Sequence, residues 1–210
     1  LFWDHPPGER TIEAALESLE RAWDQMQDDP EFVELALDID ESSEFRADAE
    51  VLVHNYFRIE DPNAVRTVGV ELGLETQMTN TVLRGIIDRL DLTDDDELVV
   101  IDYKSGRAPS AQYERSRLQG VHTYALLCER VLGRLPSQVK LLYLRDPVAI
   151  IATPTEQSVR GHRRRTTAVW TAIERACERE DFRPRPSGLC RFCNFQAICP
   201  VFAGTAAAAS

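Results

Sequence analysis

Leu98-Val99-Val100-Ile101-Asp102-Tyr103-Lys104 is the stretch on which the fold turns. Its first four residues form an unbroken apolar run, bounded by the acidic turn Thr93-Asp94-Asp95-Asp96 on one side and Ser105-Gly106 on the other. A short run of this kind suits a strand in the middle of a sheet, covered on both faces. Successive side chains in a strand alternate, so Asp102 and Lys104 share one face at its polar end.

Upstream, Thr81 to Leu90 contains Gly85-Ile86-Ile87-Asp88, a second strand carrying an acid near its end. Before it, Arg66 to Thr76 alternates, with Val68, Val70, Leu72 and Leu74 on one face and Gly69, Glu71, Gly73 and Glu75 on the other. No helical period separates the three segments, which predicts an antiparallel meander. Hairpin pairing then sets Asp88 beside Asp102, with Glu71 on the polar face of the preceding strand. Three carboxylates at one point repel each other unless a cation lies between them, and hard oxygen ligands select Mg²⁺ or Mn²⁺. Lys104 next to that ion could hold or help deprotonate a water while the metal stabilises charge on a phosphate being cleaved. Taken alone, an acid-x-lysine at a strand end is usually a surface ion pair; Asp88 and the Ser105-Gly106 turn move the balance toward a site.

Around the meander, Ile12, Ala15, Leu16, Leu19 and Trp23 mark an amphipathic helix over Thr11 to Gln27, and a second is predicted from Ser43 to Arg58. A helix from Gln112 to Leu132, strands near Val139 to Leu144 and Ala149 to Thr153, and a long helix from Glu156 to Glu180 with Thr155 as its N-cap follow. These elements predict an α/β fold organised as an acidic helical segment (1–62), a core (63–182), a cysteine segment (183–202) and a frayed tail (203–210).

The net charge of -11 argues at first against nucleic acid, but the charge is unevenly spread. Residues 1–61 hold 18 Asp and Glu against 4 Arg, whereas 158–191 hold 9 Arg against 4 acids. Phosphate binding depends on the local surface, which makes Arg160, Arg163, Arg164 and Arg165 candidates for contacts to a nucleic-acid backbone. The plainer alternative is a solvated helix face. No apolar run is long enough to span a bilayer and no signal peptide is evident at Leu1, so a cytoplasmic location is expected. A start at Leu1, within an apparently structured acidic segment, suggests part of a longer protein.

Three of the five cysteines, Cys190, Cys193 and Cys199, fall within ten residues. Such spacing suggests a metal or a cluster standing in for a core that the segment cannot build itself, against the alternative of three reduced structural thiols. Cys128, among Ala125, Leu126 and Leu127, reads as a core residue.

Gly85-Ile86-Ile87-Asp88-Arg89-Leu90-Asp91 followed by Ile101-Asp102-Tyr103-Lys104-Ser105-Gly106 closely resembles the motifs of RecB-family exonucleases, a branch of the PD-(D/E)xK nuclease superfamily. The looser match runs from about Val65 to Pro200. The resemblance implies a restriction-endonuclease-like αβββαβ core with a mixed sheet flanked by helices. It further implies that Asp88, Asp102 and the carbonyl of Tyr103 bind metal, that Glu71 contributes, and that Lys104 assists the attacking water. The family carries a Gln-x-x-x-Tyr element on the next helix; here four residues separate Gln119 from Tyr124, and His122 is a possible substitute contact to DNA. The family's upstream histidine has no clear counterpart, since His54 lacks its context and His5 lies near the start. Cys190, Cys193 and Cys199-Pro200 resemble the C-terminal trio that holds a [4Fe-4S] cluster in AddB-type helicase–nucleases and CRISPR-associated adaptation exonucleases. The fourth ligand there is a cysteine far upstream. Here it is expected in a missing upstream segment, with Cys177 or Cys128 as substitutes, or no cluster at all, as the alternatives.

The expected function is therefore a Mg²⁺- or Mn²⁺-dependent DNA exonuclease of repair or recombination, acting on single-stranded DNA or DNA ends, with a helicase as a possible partner. The competing reading is an inactive DNA-binding or partner-docking module of the same fold, to which the acidic segment lends some support. A zinc-stabilised domain with an accidental Asp-x-Lys is a third.

Overall fold

The computed structural model describes residues 2–79, 81–110 and 120–202. They form three N-terminal helices, α1 (Ile12–Met26), α2 (Pro30–Val33) and α3 (Ile39–Ile59), then strands β1 (Arg66–Gln77), β2 (Val82–Leu92) and β3 (Leu98–Lys104). Helix α4 (Val121–Leu127), strands β4 (Gln138–Tyr143) and β5 (Val148–Ala152), and helix α5 (Glu156–Arg179) complete the series. Contacts divide the chain into two compact units, Leu1–Arg165 and Thr166–Ser210. The boundary falls inside α5, and the predicted boundary at 182 lies within the second unit. No helix among the described residues is long and apolar enough to cross a membrane.

The sheet has the order β1-β2-β3-β4-β5. β1, β2 and β3 form the antiparallel meander, β3 and β4 run parallel, and β5 returns antiparallel to β4. A parallel step needs a crossover, and the connection containing α4 supplies it. This is the α/β architecture, a mixed sheet flanked by helices, that the sequence predicts. Its strand bounds differ from the prediction by only a few residues. Of the predicted helix from Gln112 to Leu132, residues 111–119 lie outside the described residues; the remainder is α4 and a π-helical turn, Cys128–Leu132, ended by Gly133 at φ 69°. That left-handed conformation is one a glycine adopts without strain.

The run from Leu98 to Ile101 in β3 is apolar without interruption because helices cover both of its faces. Leu98 and Val100 pack with Val121, Leu127 and Cys128 on the α4 side. Val99 and Ile101 pack with Tyr56 of α3 and with Phe2 and Trp3 on the other. The helix starts follow their sequences. Asp38 and Glu41 form a reciprocal capping box at α3, Thr11 Oγ1 accepts from Ala14 N–H at α1, and Thr155 and Ser158 cap each other's backbone at α5.

The α3 face also contains a fully buried charge. Arg89 is 0 % exposed and forms ion pairs with Glu60 at 2.6 Å and Asp91 at 2.9 Å. It donates to the hydroxyls of Tyr103 at 2.6 Å and Tyr56 at 3.2 Å, and its guanidinium lies 4.4 Å from the centre of the Trp3 ring. Burial opposes its charge, but the hydrogen bond to Glu60 and the charges around it more than offset this and hold its pKa above the ordinary arginine value.

Removing one member of such a group strands the others as uncompensated buried charges. Arg89→Ala is therefore expected to destabilise the protein by about 3–5 kcal/mol, measured as a shift of the urea unfolding midpoint. A variant as stable as wild type would show that Glu60 and Asp91 do not depend on Arg89.

Candidate active site

The acids singled out in the sequence lie level with one another across three adjacent strands. Val70 pairs with Arg89 and Leu72 with Ile87, so Glu71 stands opposite Asp88 between β1 and β2. The β2–β3 ladder begins at Arg89 and Ile101, and one residue beyond that pair Asp88 stands opposite Asp102. Where the ladder stops, the Asp88 side chain takes over: its Oδ2 accepts the Tyr103 N–H at 2.7 Å.

The pleat is broken at this same level, which corrects the simple alternation expected of β1. The register slips between Thr67 and Gly69, and Glu71 has φ 48°, in the left-handed region. Val68 and Val70 are consequently exposed while Leu74 is buried. In β2, Ile87 and Leu90 both enter the core under α4. A strict period of two would send residues three apart to opposite faces, so the alternation slips at Asp88-Arg89 as well. Left-handed backbone at a non-glycine residue costs about 1–3 kcal/mol and is concentrated at sites where function retains it.

Asp102 is only 3 % exposed. Its Oδ1 accepts from the Tyr124 hydroxyl of α4 at 2.8 Å. Its Oδ2 is buried without a well-directed hydrogen-bond donor and has the Lys104 ammonium beside it at 2.5 Å. Short as that approach is, the pair is a charge contact with poor hydrogen-bond geometry. The Lys104 side chain is 44 % exposed and faces solvent from this position. Burial raises the Asp88 carboxyl above its usual range, the Tyr103 N–H pulls it down, and the Asp102 charge raises it again. Burial and then the bond to Asp102 raise the Tyr124 hydroxyl.

Asp102, Lys104 and Tyr124 line a cavity of about 570 Å³. Arg84, Arg107 and Thr123 also contribute to its wall. Asp88 and Glu71 stay outside this lining, and Glu71 is exposed. Among the described residues no three His, Cys, Asp or Glu side chains are gathered as a closed metal-binding group. The donor chemistry still fits a hard divalent ion, because Asp88 and Asp102 stand level on adjacent strands and one oxygen of Asp102 lacks a directed donor.

The remaining predicted positions fall elsewhere. Gln119 lies outside the described residues. His122 is not among the cavity-lining residues: its buried Nδ1 has no hydrogen-bond partner among the described residues, and its ring lies 6.1 Å from that of His162. His162 Nε2 is 3.0 Å from Thr123 Oγ1. Burial first, then the neighbouring positive charge of Arg165, holds His122 below the usual histidine range; for His162 the order is burial, His122 and Arg165. Arg160 pairs with Glu156 at 2.9 Å, and Arg160, Arg163, Arg164 and Arg165 are exposed on α5 outside the cavity lining. His54 is exposed on α3. In the second unit Cys193 is exposed and Cys190 and Cys199 are half-buried, each in a tight turn: Cys193 N–H donates to Cys190 O, and Cys199 N–H to Gln196 O. Cys128 is buried, and burial pushes its thiol up to about 11. Sequence reading missed Arg84 and Arg107 in the cavity wall and Arg89 behind it. A charged residue in an apolar strand with an acid two positions on, as in Arg89-Leu90-Asp91, was the available signal for the last.

A family model described as the PD-(D/E)XK nuclease superfamily matches residues 1–200. None of the curated proteins matches the chain. Solved structures do match; one is the crystal structure of SSO0001, 17% identical, covering 85% of this chain and 81% of that one with a TM-score of 0.45.

The raised Asp88 carboxyl makes a stability prediction for the metal-free protein. A carboxyl whose folded pKa lies above its unfolded value costs stability once it is ionised, and the cost fades as pH falls and both states take up the proton. Asp88→Asn keeps an acceptor for the Tyr103 N–H and removes that cost. In EDTA the variant is expected to unfold at higher urea than wild type at neutral pH, with the gain shrinking at pH values below the carboxylate range. A gain that persists unchanged in acid would assign it to something other than the Asp88 charge.

Proposed function

The chain belongs to the PD-(D/E)XK nuclease superfamily, and on that premise we propose that it is a Mg²⁺- or Mn²⁺-dependent DNA exonuclease of repair or recombination. The observation that carries the reading is the nearly buried Asp102, one oxygen without a directed donor, level with Asp88 and 2.5 Å from the Lys104 ammonium. Lys104 offsets one of the two neighbouring carboxylate charges, and a divalent cation between Asp88 and Asp102 would offset the rest.

Asp88 and Asp102 would hold the ion, with the Tyr103 carbonyl and Glu71 as further oxygen donors. Bound there, it would supply positive charge to a phosphate under attack and a template for its oxygens. The chain's own groups do the rest. Tyr103 N–H fixes one oxygen of Asp88 and the Tyr124 hydroxyl fixes one of Asp102, so each carboxylate is oriented before any ligand arrives. Lys104, half exposed over the cavity, is placed to hold a water or a phosphate oxygen by hydrogen bonds from its ammonium. Exonuclease rather than endonuclease action, and a helicase partner supplying unwound strands, rest on the RecB-type motifs around Asp88 and Asp102.

For the second unit we propose a [4Fe-4S] cluster on Cys190, Cys193, Cys199 and a fourth ligand. Leu189, Phe192, Phe195 and Ile198, which surround the trio in sequence, are all exposed, so the segment has little apolar core of its own. The three thiols do not form a closed set as described, and no step of the reaction is assigned to the cluster.

With end-labelled linear DNA, Mg²⁺ or Mn²⁺ is expected to support cleavage that EDTA abolishes, while closed circles survive. Lys104→Ala is expected to lose roughly 10²–10⁴-fold in rate, and Asp102→Ala to be inactive. A folded wild-type protein that leaves linear DNA intact in both metals would instead support the binding-module reading, and cutting of circles would make the enzyme an endonuclease. For the cysteine segment, protein purified without oxygen is expected to show visible absorbance, with iron and acid-labile sulfide that Cys193→Ser removes. Zinc in place of iron, or no metal, would overturn the cluster.

A further inference from the structure

Among the described residues, the wall of the active-site cavity holds three cations, and two of them are already matched. Lys104 faces Asp102 at 2.5 Å, and Arg84 pairs with Glu75 at 2.6 Å. Arg107 lines the same cavity, is exposed, and among the described residues has no hydrogen bond or ion pair to any acid. An arginine with no partner among the described residues, three positions from Lys104 and so within about 11 Å of it along the chain, presents guanidinium donors to the space a substrate would enter.

The backbone that carries Arg107 is held on both sides. Leu144 N–H donates to the Lys104 carbonyl at 2.9 Å, and Ala108 N–H donates to Asp146 Oδ2 at 2.9 Å. Both anchors belong to the β4–β5 turn region, so this stretch is tied to the sheet, which limits the motion of Arg107. On its far side Arg107 borders a second groove that presents Glu41, Glu44 and Asp48. Asp48 is taken by Arg145, while Glu41 caps α3. A polyanion is repelled from that groove and attracted to the cavity, with Arg107 on the dividing line.

We propose that Arg107 is a substrate-binding residue that grips a backbone phosphate next to the scissile one and fixes the path of the DNA strand across the cavity. This rests on the nuclease reading above and adds to it a specific contact outside the acids and Lys104. The guanidinium fork suits a phosphate through two parallel hydrogen bonds, which a lysine reproduces only in part. The contact is to backbone, so it carries no sequence preference.

The test measures steady-state cleavage of a fluorescent single-stranded oligonucleotide, and its binding at several salt concentrations, for wild type, Arg107→Ala, Arg107→Lys and Arg130→Ala. Arg130 is an exposed arginine on the π-helical turn after α4 and does not line the cavity, so its variant controls for loss of one positive charge. Arg107→Ala is expected to raise KM about tenfold with kcat lowered no more than about twofold, and to reduce the slope of log affinity against log salt by roughly one. Arg107→Lys should recover part of the loss and Arg130→Ala should behave as wild type. If wild type cleaves and Arg107→Ala matches Arg130→Ala, the phosphate contact is refuted and the nuclease reading stands. A fall in kcat at unchanged KM also refutes it, because that places Arg107 on the transition state. Wild-type protein that binds DNA through Arg107 yet never cleaves it would uphold the contact and sink the nuclease reading; neither binding nor cleavage would sink both.

Discussion

The site depends on a buried positive charge that takes no part in it. Arg89 lies on the opposite side of the sheet from the cavity, where Glu60, Asp91, Tyr56, Tyr103 and Trp3 surround it. It joins α3, β2, β3 and the N-terminal turn in one network. Tyr103 is the connection to the chemistry: its hydroxyl accepts from Arg89 on one side, and its N–H holds Asp88 on the other. An apolar cluster of similar size would pack the elements together, but it would not fix the rotation of the Tyr103 ring or oppose a slip of β3 by one residue. A slip of that kind would turn Asp102 and Lys104 to the wrong face. Directional bonds to a buried guanidinium make such a slip expensive, because every displaced partner would be a buried, unpaired polar group.

On the cavity side, the sheet departs from regularity at the level of the carboxylates. Antiparallel pairing sets Asp88 opposite Asp102 and so puts both side chains on one face. The ladder stops at Arg89 and Ile101, Asp88 Oδ2 accepts the Tyr103 N–H, and the inward–outward alternation slips in β1 near Glu71 and in β2 at Asp88-Arg89. The left-handed backbone at Glu71 is the visible cost of that arrangement.

Much of this was legible in the sequence because it rests on local rules. The apolar run from Leu98 to Ile101 signalled a covered central strand, and period two placed Asp102 with Lys104. The meander followed from three strands joined by short turns, and the helix starts from Thr11 and Thr155. What escaped was non-local. Arg89 looked like any charge at a strand end, since Glu60 and Tyr56 reach it from another element. The exposure of Val68 and Val70, with Leu72 and Leu74 turned inward, could not be foreseen from an alternation that the left-handed backbone at Glu71 breaks. Tyr124 was noticed for its spacing, but nothing in that spacing says that its hydroxyl reaches Asp102.

The acidic total charge was also a poor guide, for a structural reason. Many acids of residues 1–61 already have assigned work: Asp29, Asp38 and Glu41 cap helices, Glu20 pairs with Arg46, Asp48 with Arg145, and Glu60 with Arg89. A charge neutralised by a partner within a few ångströms contributes little at longer range, and exposed charges are largely screened beyond about 10 Å at 0.1 M salt. Among the described residues that line the cavity, Asp102 and Lys104 offset each other and Arg84 pairs with Glu75, which leaves Arg107 as the cation a phosphate meets there. Glu44 on α3, which has no partner among the described residues, lines the groove that also contains Arg107, and its charge there opposes a polyanion.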